Sequence, residues 1–312
     1  MRLRKEATTR RDRHSGSRRR PDERLRKEAT TQRDRRSGAR RRSDERLREE
    51  ATTQRDRHRS SALRMTPPAR LLEVSGISKR FGGVQAVRDL SFDMARGEVL
   101  GLIGPNGAGK TTVFHLLSGF LPPDAGTIQF DGRPIVGLKP HAICRLGLAR
   151  TFQIVRPFPH LSVLDNVRVG ALARRPQMAD ARAKARAVID QVGLGPKAGH
   201  AAAGLTLAER KRLELARALA TEPILLLLDE VMAGLNPTEI EAIVGLIRSI
   251  NEAGVSILLI EHNVRAVMTL SHRIAVLNFG EKLAEGEPAS VANHPRVIEA
   301  YLGEEYVHPS AG

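Results

Sequence analysis

The sequence predicts an α/β fold: an open sheet of buried strands with a phosphate-binding loop at its C-terminal edge. Three observations carry that prediction. The apolar run 99–103 leads directly into Gly104, Pro105, Asn106, Gly107, Ala108, Gly109, Lys110, Thr111 and Thr112, a G-x-x-x-x-G-K-T pattern with a helical pattern (Val113, Phe114, Leu116, Leu117) behind it. A second run, 224–228, ends in Asp229 and Glu230, and a third, 256–260, ends in Glu261 and His262. Short continuous apolar runs suit strands covered on both faces. The C-terminal ends of such strands are where an open α/β sheet assembles its site.

In chain order, the body opens with half-buried strand patterns at 71–77 and 90–94, separated by the turn residues Gly82 and Gly83. The strand–loop–helix unit at 99–117 follows. Helical spacing returns at 163–169 and 182–192, and Thr206 with Glu209 makes a T-x-x-E capping box that opens another helix. The runs at 224–228 and 256–260 are read as neighbouring strands.

The front of the chain is different. Residues 2–23 and 24–45 repeat each other at 18 of 22 positions, and a third copy fades after Asp56. The segment has no Phe, Tyr or Trp, so nothing can build a core, and it is expected to be disordered. Of the chain's 51 basic and 35 acidic residues, residues 1–64 hold 24 and 11, a net +13 of the total +16. The high isoelectric point therefore belongs to the tail, and no specific nucleic-acid partner is expected from it. A basic arm for nucleic acid or anionic lipid and a transit peptide are weaker readings. The preferred one is a recent duplication, or a stretch not translated, with Met65 opening a body that is complete without it.

Composition excludes further classes. The single cysteine, Cys144, cannot build a disulfide framework or a cysteine-based zinc site, and it is expected to fill core. No apolar run approaches the roughly 18–20 residues of a membrane span, and no secretory leader pattern is visible at the N-terminus. His141, His160 and His200 have no metal-ligand spacing and are expected at the surface. No Ser-His-Asp or Cys-His arrangement is evident.

The glycine loop can curl successive backbone N–H groups round a phosphate, with the helix N-terminus adding its positive end. Lys110 is placed to reach the β/γ-phosphates and Thr111 to hold Mg²⁺. Of the pair Asp229 and Glu230, one carboxylate can hold Mg²⁺ while the next orients or deprotonates the attacking water. His262 ends the expected neighbouring strand, where a γ-phosphate sensor would sit.

With these motifs in order, residues 71–305 resemble the ATP-binding subunits of ABC transporters. The resemblance implies a P-loop NTPase core of the ABC type with an antiparallel β subdomain. It also implies a small helical subdomain, about residues 155–220 of an ATPase domain spanning 65–312. By resemblance, Phe81 stacks on adenine, and Gln153 of Arg150-Thr-Phe-Gln153 is the Q-loop glutamine beside Mg²⁺. Asp229 and Glu230 are the Walker B pair, with Asp229 on the metal and Glu230 the general base. Ala233-Gly-Leu-Asn236 is the D-loop, and His262 the switch histidine.

The wording of several motifs, with the ending Val297-Ile-Glu-Ala-Tyr-Leu-Gly303, is similar to branched-chain amino-acid importers. Lipopolysaccharide export is the runner-up. A soluble ABC ATPase of DNA repair or translation ranks below both, since heptads and a second cassette are absent, and a non-hydrolysing regulatory nucleotide binder is opposed by Glu230 and His262. The implied partners are a second ABC ATPase, two transmembrane permeases whose coupling helices dock in the helical subdomain's groove, and indirectly a substrate-binding protein. The implied place is peripheral, on the cytoplasmic face of the inner membrane. The implied cofactors are ATP and Mg²⁺.

One motif departs. The family's L-S-G-G-Q signature reads Leu205-Thr-Leu-Ala-Glu-Arg210 here. Thr206 and Glu209 keep the cap that would face the partner's ATP, but Ala208 replaces the glycine that admits the phosphate closely. The expectation is asymmetry, with a heterodimer preferred to a homodimer; the alternative is that alanine is tolerated here and both sites work. The chain's own Walker site would be complete, and the site using its signature slower. Pro157, Phe158, Pro159 and Leu161 fit either the permease contact or a loop held by one aromatic.

Overall fold

Alternate residues of the central strands face two different cores, which is why those strands read as unbroken apolar runs. The computed structural model describes residues 70–152 and 156–307, with 302–307 as backbone only. The repeat at 1–64, Met65 and Gln153 lie outside the described residues. On β3 (Val99–Ile103), Val99 and Ile103 join one core while Leu100 and Leu102 join the other. The same split divides Leu226 and Leu228 from Leu225 and Leu227 on β7 (Leu225–Asp229), and Ile257 and Leu259 from Leu258 and Ile260 on β8 (Ser256–Ile260). Side chains of a strand alternate across a sheet, so two covered faces need two apolar sets.

These strands belong to a six-stranded sheet of order β10-β9-β3-β8-β7-β6, with β6 Leu148–Arg150, β9 Arg273–Asn278 and β10 Glu281–Gly286. All its pairings are parallel except that of β9 with β10. The expected adjacency of the strands ending at Asp229 and Glu261 is found, with Asp229 paired to Ile260.

One face is covered by a four-stranded antiparallel sheet of order β2-β1-β4-β5, with β1 Arg70–Phe81, β2 Val84–Ala95, β4 Ala125–Phe130 and β5 Arg133–Pro134. Helix α1 (Lys110–Leu117) shares that core. Strands β1 and β2 are longer than the patterns at 71–77 and 90–94, because they continue pairing to Phe81 and Val84 through several register shifts. Exposed residues on both faces near that turn erase the alternation that would have signalled it.

The other face packs helices α3 (Val163–Ala171), α4 (Met178–Gln191), α5 (Leu207–Leu219), α6 (Pro237–Glu252) and α7 (Val264–Leu270). Helices α8 (Pro288–Ala292) and α9 (Pro295–Val307) add Val291 and Val297 to it. The remaining helix, α2 (Pro140–Leu146), corrects one expectation. It buries Ile143, but Cys144 is only partly buried and lines a groove of about 310 Å³. A short helix with one covered residue leaves its neighbour at the boundary, so Cys144 does not fill core. His141, His160 and His200 are exposed, as expected.

Candidate nucleotide site

The glycine loop is shaped by contacts that only glycine permits. Gly104 (φ +149°) and Gly109 (φ +100°) lie in backbone regions unfavourable to other residues. A Cβ at Gly104 would stand 2.1 Å from the Leu277 carbonyl oxygen, and one at Gly109 would stand 2.3 Å from that of Ala86. The loop is therefore wedged between β2 and the β9–β10 turn. The Gly280 N–H of that turn donates to the Ala108 carbonyl at 3.1 Å, and the Gly280 carbonyl accepts from Arg88 N–H at 2.8 Å. Phe279 of the same turn is 81 % exposed and left-handed at φ +47°.

Lys110 opens α1 and turns back into the loop, donating through Nζ to the Gly104 carbonyl at 2.6 Å and the Pro105 carbonyl at 2.8 Å. A buried ammonium satisfied by loop carbonyls is a cation held ready at an anion site.

A cleft of about 520 Å³ brings the loop residues Asn106, Gly107, Ala108, Gly109, Lys110, Thr111 and Thr112 together with Glu230, His262 and Phe279. Glu230 comes from the turn after β7 and His262 from the end of β8. The backbone of Glu230 is left-handed, at φ +49°, a conformation that costs a non-glycine residue about 1–3 kcal/mol and clusters at functional sites. Two contacts hold it there. Its N–H donates to the Ile260 carbonyl at 2.9 Å, and its own carbonyl accepts from Lys211 Nζ at 2.8 Å. The result places Glu230 Oε1 3.1 Å from His262 Nε2.

Asp229, one residue earlier, is almost fully buried and lines a neighbouring cavity of about 530 Å³ together with Thr111, His115 and Arg150. Arg150 Nη2 donates to Asp229 Oδ2 at 2.7 Å, while Asp229 Oδ1 is buried with no hydrogen-bond partner. Burial, and then the Arg150 charge, hold His115 below the usual histidine range.

Other expected site residues stand elsewhere. Phe81 is about half exposed at the end of β1, with Lys79 Nζ 5.8 Å from its ring centre, and is not among the residues lining the cleft. Thr206, Ala208 and Glu209 lie at the start of α5, also outside the cleft. There the capping box is complete: Glu209 N–H donates to Thr206 Oγ1 and Thr206 N–H donates to Glu209 Oε2. The Lys197 ammonium, and then that Thr206 N–H, hold the Glu209 carboxyl below its ordinary range. Arg210 folds back to donate to the carbonyls of Leu205 and Ala203. Phe158 and Leu161 are exposed; buried Asn166 holds their loop through both backbone groups of Phe158, and the Arg217 guanidinium lies 5.2 Å from the Phe158 ring centre.

Four neighbours of the site had no role expected from the sequence: Arg150, Lys211, Glu214 and Glu261. Glu261 accepts from Met232 N–H at 2.9 Å, and burial pushes its carboxyl up to about 7. Burial also lowers Lys211 from the usual lysine range, opposed by Glu261, Glu230 and Asp229. Lys211 and Glu261 thus flank Glu230, one from α5 and one from just beyond β8.

The family profile described as ABC transporter matches residues 87–233, and the one described as branched-chain amino acid ATP-binding cassette transporter matches residues 281–307. The high-affinity branched-chain amino acid transport ATP-binding protein LivG of Salmonella typhimurium is 42% identical over 250 residues, covering 75% of this chain and 98% of LivG. The chain belongs to the ABC transporter ATP-binding family. BraF of Pseudomonas aeruginosa, carrying the same description, is 41% identical over the same shares of both chains. Among solved structures, the ADP conformation of the ATP-binding cassette MJ1267 superimposes with a TM-score of 0.69 at 28% identity, over 75% of this chain and 99% of that one. This ABC subunit has the fold of a P-loop ATPase cassette, and its activity is ATP hydrolysis. Among its described residues no helix is long and apolar enough to cross a membrane.

Proposed function

We propose that this ATPase energises the uptake of branched-chain amino acids, as one of two cassettes that close head to tail over two ATP molecules beneath a pair of permeases. The observation that carries the reading is the cleft, where Lys110, Thr111, Glu230 and His262 converge. The relatives' descriptions support the choice of cargo.

The N–H groups of the loop and of α1's first turn receive the phosphates, with Lys110 exchanging its loop carbonyls for phosphate oxygens. Glu230 takes the proton of the attacking water, and His262, within hydrogen-bond distance of Glu230, senses the γ-phosphate. Phe81 stacks on adenine.

Residues for Mg²⁺ fit the chemistry. Asp229 has a buried oxygen without a partner, Thr111 lines the same cavity, and no cluster of three His, Cys, Asp or Glu among the described residues offers a protein-only site. A cation bound by one carboxylate, one hydroxyl and substrate phosphates is typical of magnesium. When bound, Mg²⁺ neutralises charge developing on the phosphate oxygens. Gln153, outside the described residues, keeps its role beside the metal as part of this proposal.

Thr206, Ala208 and Glu209, at the exposed start of α5, serve the partner's ATP, and Ala208 makes that second site the slower one. Residues 65–312 act as one ATPase domain with a helical part at about 155–220. It sits on the cytoplasmic face of the inner membrane, and the groove beside Cys144 and Arg217 takes the permease.

Affinity purification of the tagged chain from native membranes, with mass spectrometry of its companions, tests this reading. Two permeases, a second ATPase and an amino-acid-binding protein are expected. Lipopolysaccharide-export components, or a catch without membrane proteins, would contradict it.

A further inference from the structure

The carboxylate assigned to the metal already has a cation. Arg150 and Asp229 form an ion pair at 2.7 Å with side chains 5% and 2% exposed. The pair is incompletely satisfied, since Arg150 Nε and Asp229 Oδ1 are both buried without hydrogen-bond partners. A buried pair offsets its desolvation only when its remaining donors and acceptors are met. Two orphan atoms in one pair therefore mark a contact suited to exchange.

Arg150 also has a seat that does not depend on Asp229. Its guanidinium carbon lies 5.6 Å from the ring centre of Phe114, 6.0 Å from that of Phe120 and 5.3 Å from that of Phe152. A planar guanidinium stacks on such faces where an ammonium would not. Arg150 borders both the cavity it shares with Asp229 and the groove beside Cys144, and Glu214 borders both as well.

The arginine is connected onward. It ends β6, two residues before Phe152, and α5 holds both Phe152 and Arg156. Glu214 accepts the Phe152 N–H, and Arg217 Nη1 donates to the Arg156 carbonyl at 3.1 Å and to Glu214 Oε2 at 2.9 Å. Asp229, Arg150, Phe152 and Glu214 thus form a continuous chain from the metal carboxylate to the helix whose first turn is capped by Thr206.

The geometry points to Arg150 as a positioning residue for Asp229: the counter-ion that this carboxylate keeps until a divalent cation replaces it. A guanidinium and a dication drawn to one buried carboxylate repel each other strongly where water is scarce. The cation's arrival loosens Arg150 from Asp229, and the aromatic seat retains it. The change is passed through Phe152 and Glu214 to α5. The inference rests on Asp229 being the metal's carboxylate.

The test titrates the full-length chain with Mn²⁺ in the presence of ADP, followed by electron paramagnetic resonance, for the wild type, R150M and R150K. Removing the competing charge is expected to tighten Mn²⁺ binding about tenfold in R150M, while R150K, which keeps the charge, stays within about twofold of wild type. The rise in melting temperature on adding Mn²⁺ and ADP is expected to be larger in R150M than in wild type, because tighter binding stabilises more. Where R150M does not fold, R150Q keeps a donor for Oδ2 and serves the same test with the same expected gain. Equal or weaker Mn²⁺ affinity in the neutral variant, with an unchanged melting increment, overturns the inference. A wild-type chain that binds no Mn²⁺ with ADP overturns the assignment of Asp229 itself, which is a different result.

Discussion

The glycine loop and the start of helix α5 both offer backbone N–H groups to an anion, but one is enclosed by the fold and the other stands open. The loop is wedged between the Leu277 and Ala86 carbonyls, and its lysine, the Glu230 carboxylate and His262 reach one cleft from three adjacent strand ends. At α5 the Thr206 cap is complete, yet Thr206 and Leu207 are exposed, and Lys197 beside that turn is paired to Glu209. The contrast teaches how an ABC subunit divides its work. On the proposed function, the part that does chemistry on its own nucleotide is set by buried strands, whereas the part assigned to a partner is finished locally and left uncovered. Arg150, Lys211 and Glu214 join the two, since α5 contacts the Glu230 carbonyl, Phe152 and Arg156.

The largest expected effect on stability concerns the enclosed side. Glu261 is held up to about 7 by burial, so the folded protein binds a proton there that the unfolded chain releases at lower pH. The sign follows. The contribution favouring the fold is complete below the ordinary carboxylate range and is lost as pH rises through about 7, a difference of about 3 kcal/mol. E261Q, which keeps an acceptor for Met232 N–H, is expected to flatten that dependence and to gain stability relative to wild type at pH values above 7. Urea unfolding across this range checks it, and an unchanged pH profile would break the link between burial and the enclosed site.

A smaller effect is expected at the open side. Thr206→Ala removes one cap acceptor and should cost about 1 kcal/mol of stability. ADP affinity at the chain's own cleft should stay unchanged, because Thr206 lies outside it. Urea unfolding and calorimetric titration measure the two separately, and a parallel loss of ADP affinity would blur the division. The smallest effect is on turnover. Ala208→Gly in the reconstituted complex is expected to raise ATP turnover by a few-fold at most. Unchanged turnover would remove the asymmetry between the two composite sites.

What was legible in the sequence follows the same divide. Strands β3, β7 and β8 stood out because burial on both faces makes their residues uniformly apolar, and the residues after them are those that reach the cleft. The Thr206–Glu209 cap was legible because it is local, with both partners three residues apart. Arg150, Lys211, Glu214 and Glu261 were not, since their importance comes from contacts distant in sequence: Arg150 meets Asp229 across β6 and β7, and Lys211 meets Glu230 from a helix. Cys144 was expected in the core, but its short helix covers mainly Ile143 and leaves the thiol at the boundary. Strands β9 and β10 passed unnoticed. Of these, β10 is half-exposed and charged, and its turn matters through backbone contacts to the glycine loop.

The most direct measurement is ATP turnover and ATP retention in the reconstituted complex carrying Glu230→Gln in this chain alone. If the enclosed cleft hydrolyses ATP with Glu230 as the base, turnover at this site falls at least about a hundredfold, and intact ATP remains bound. Turnover within a few-fold of wild type, with only ADP recovered from the site, would contradict the account.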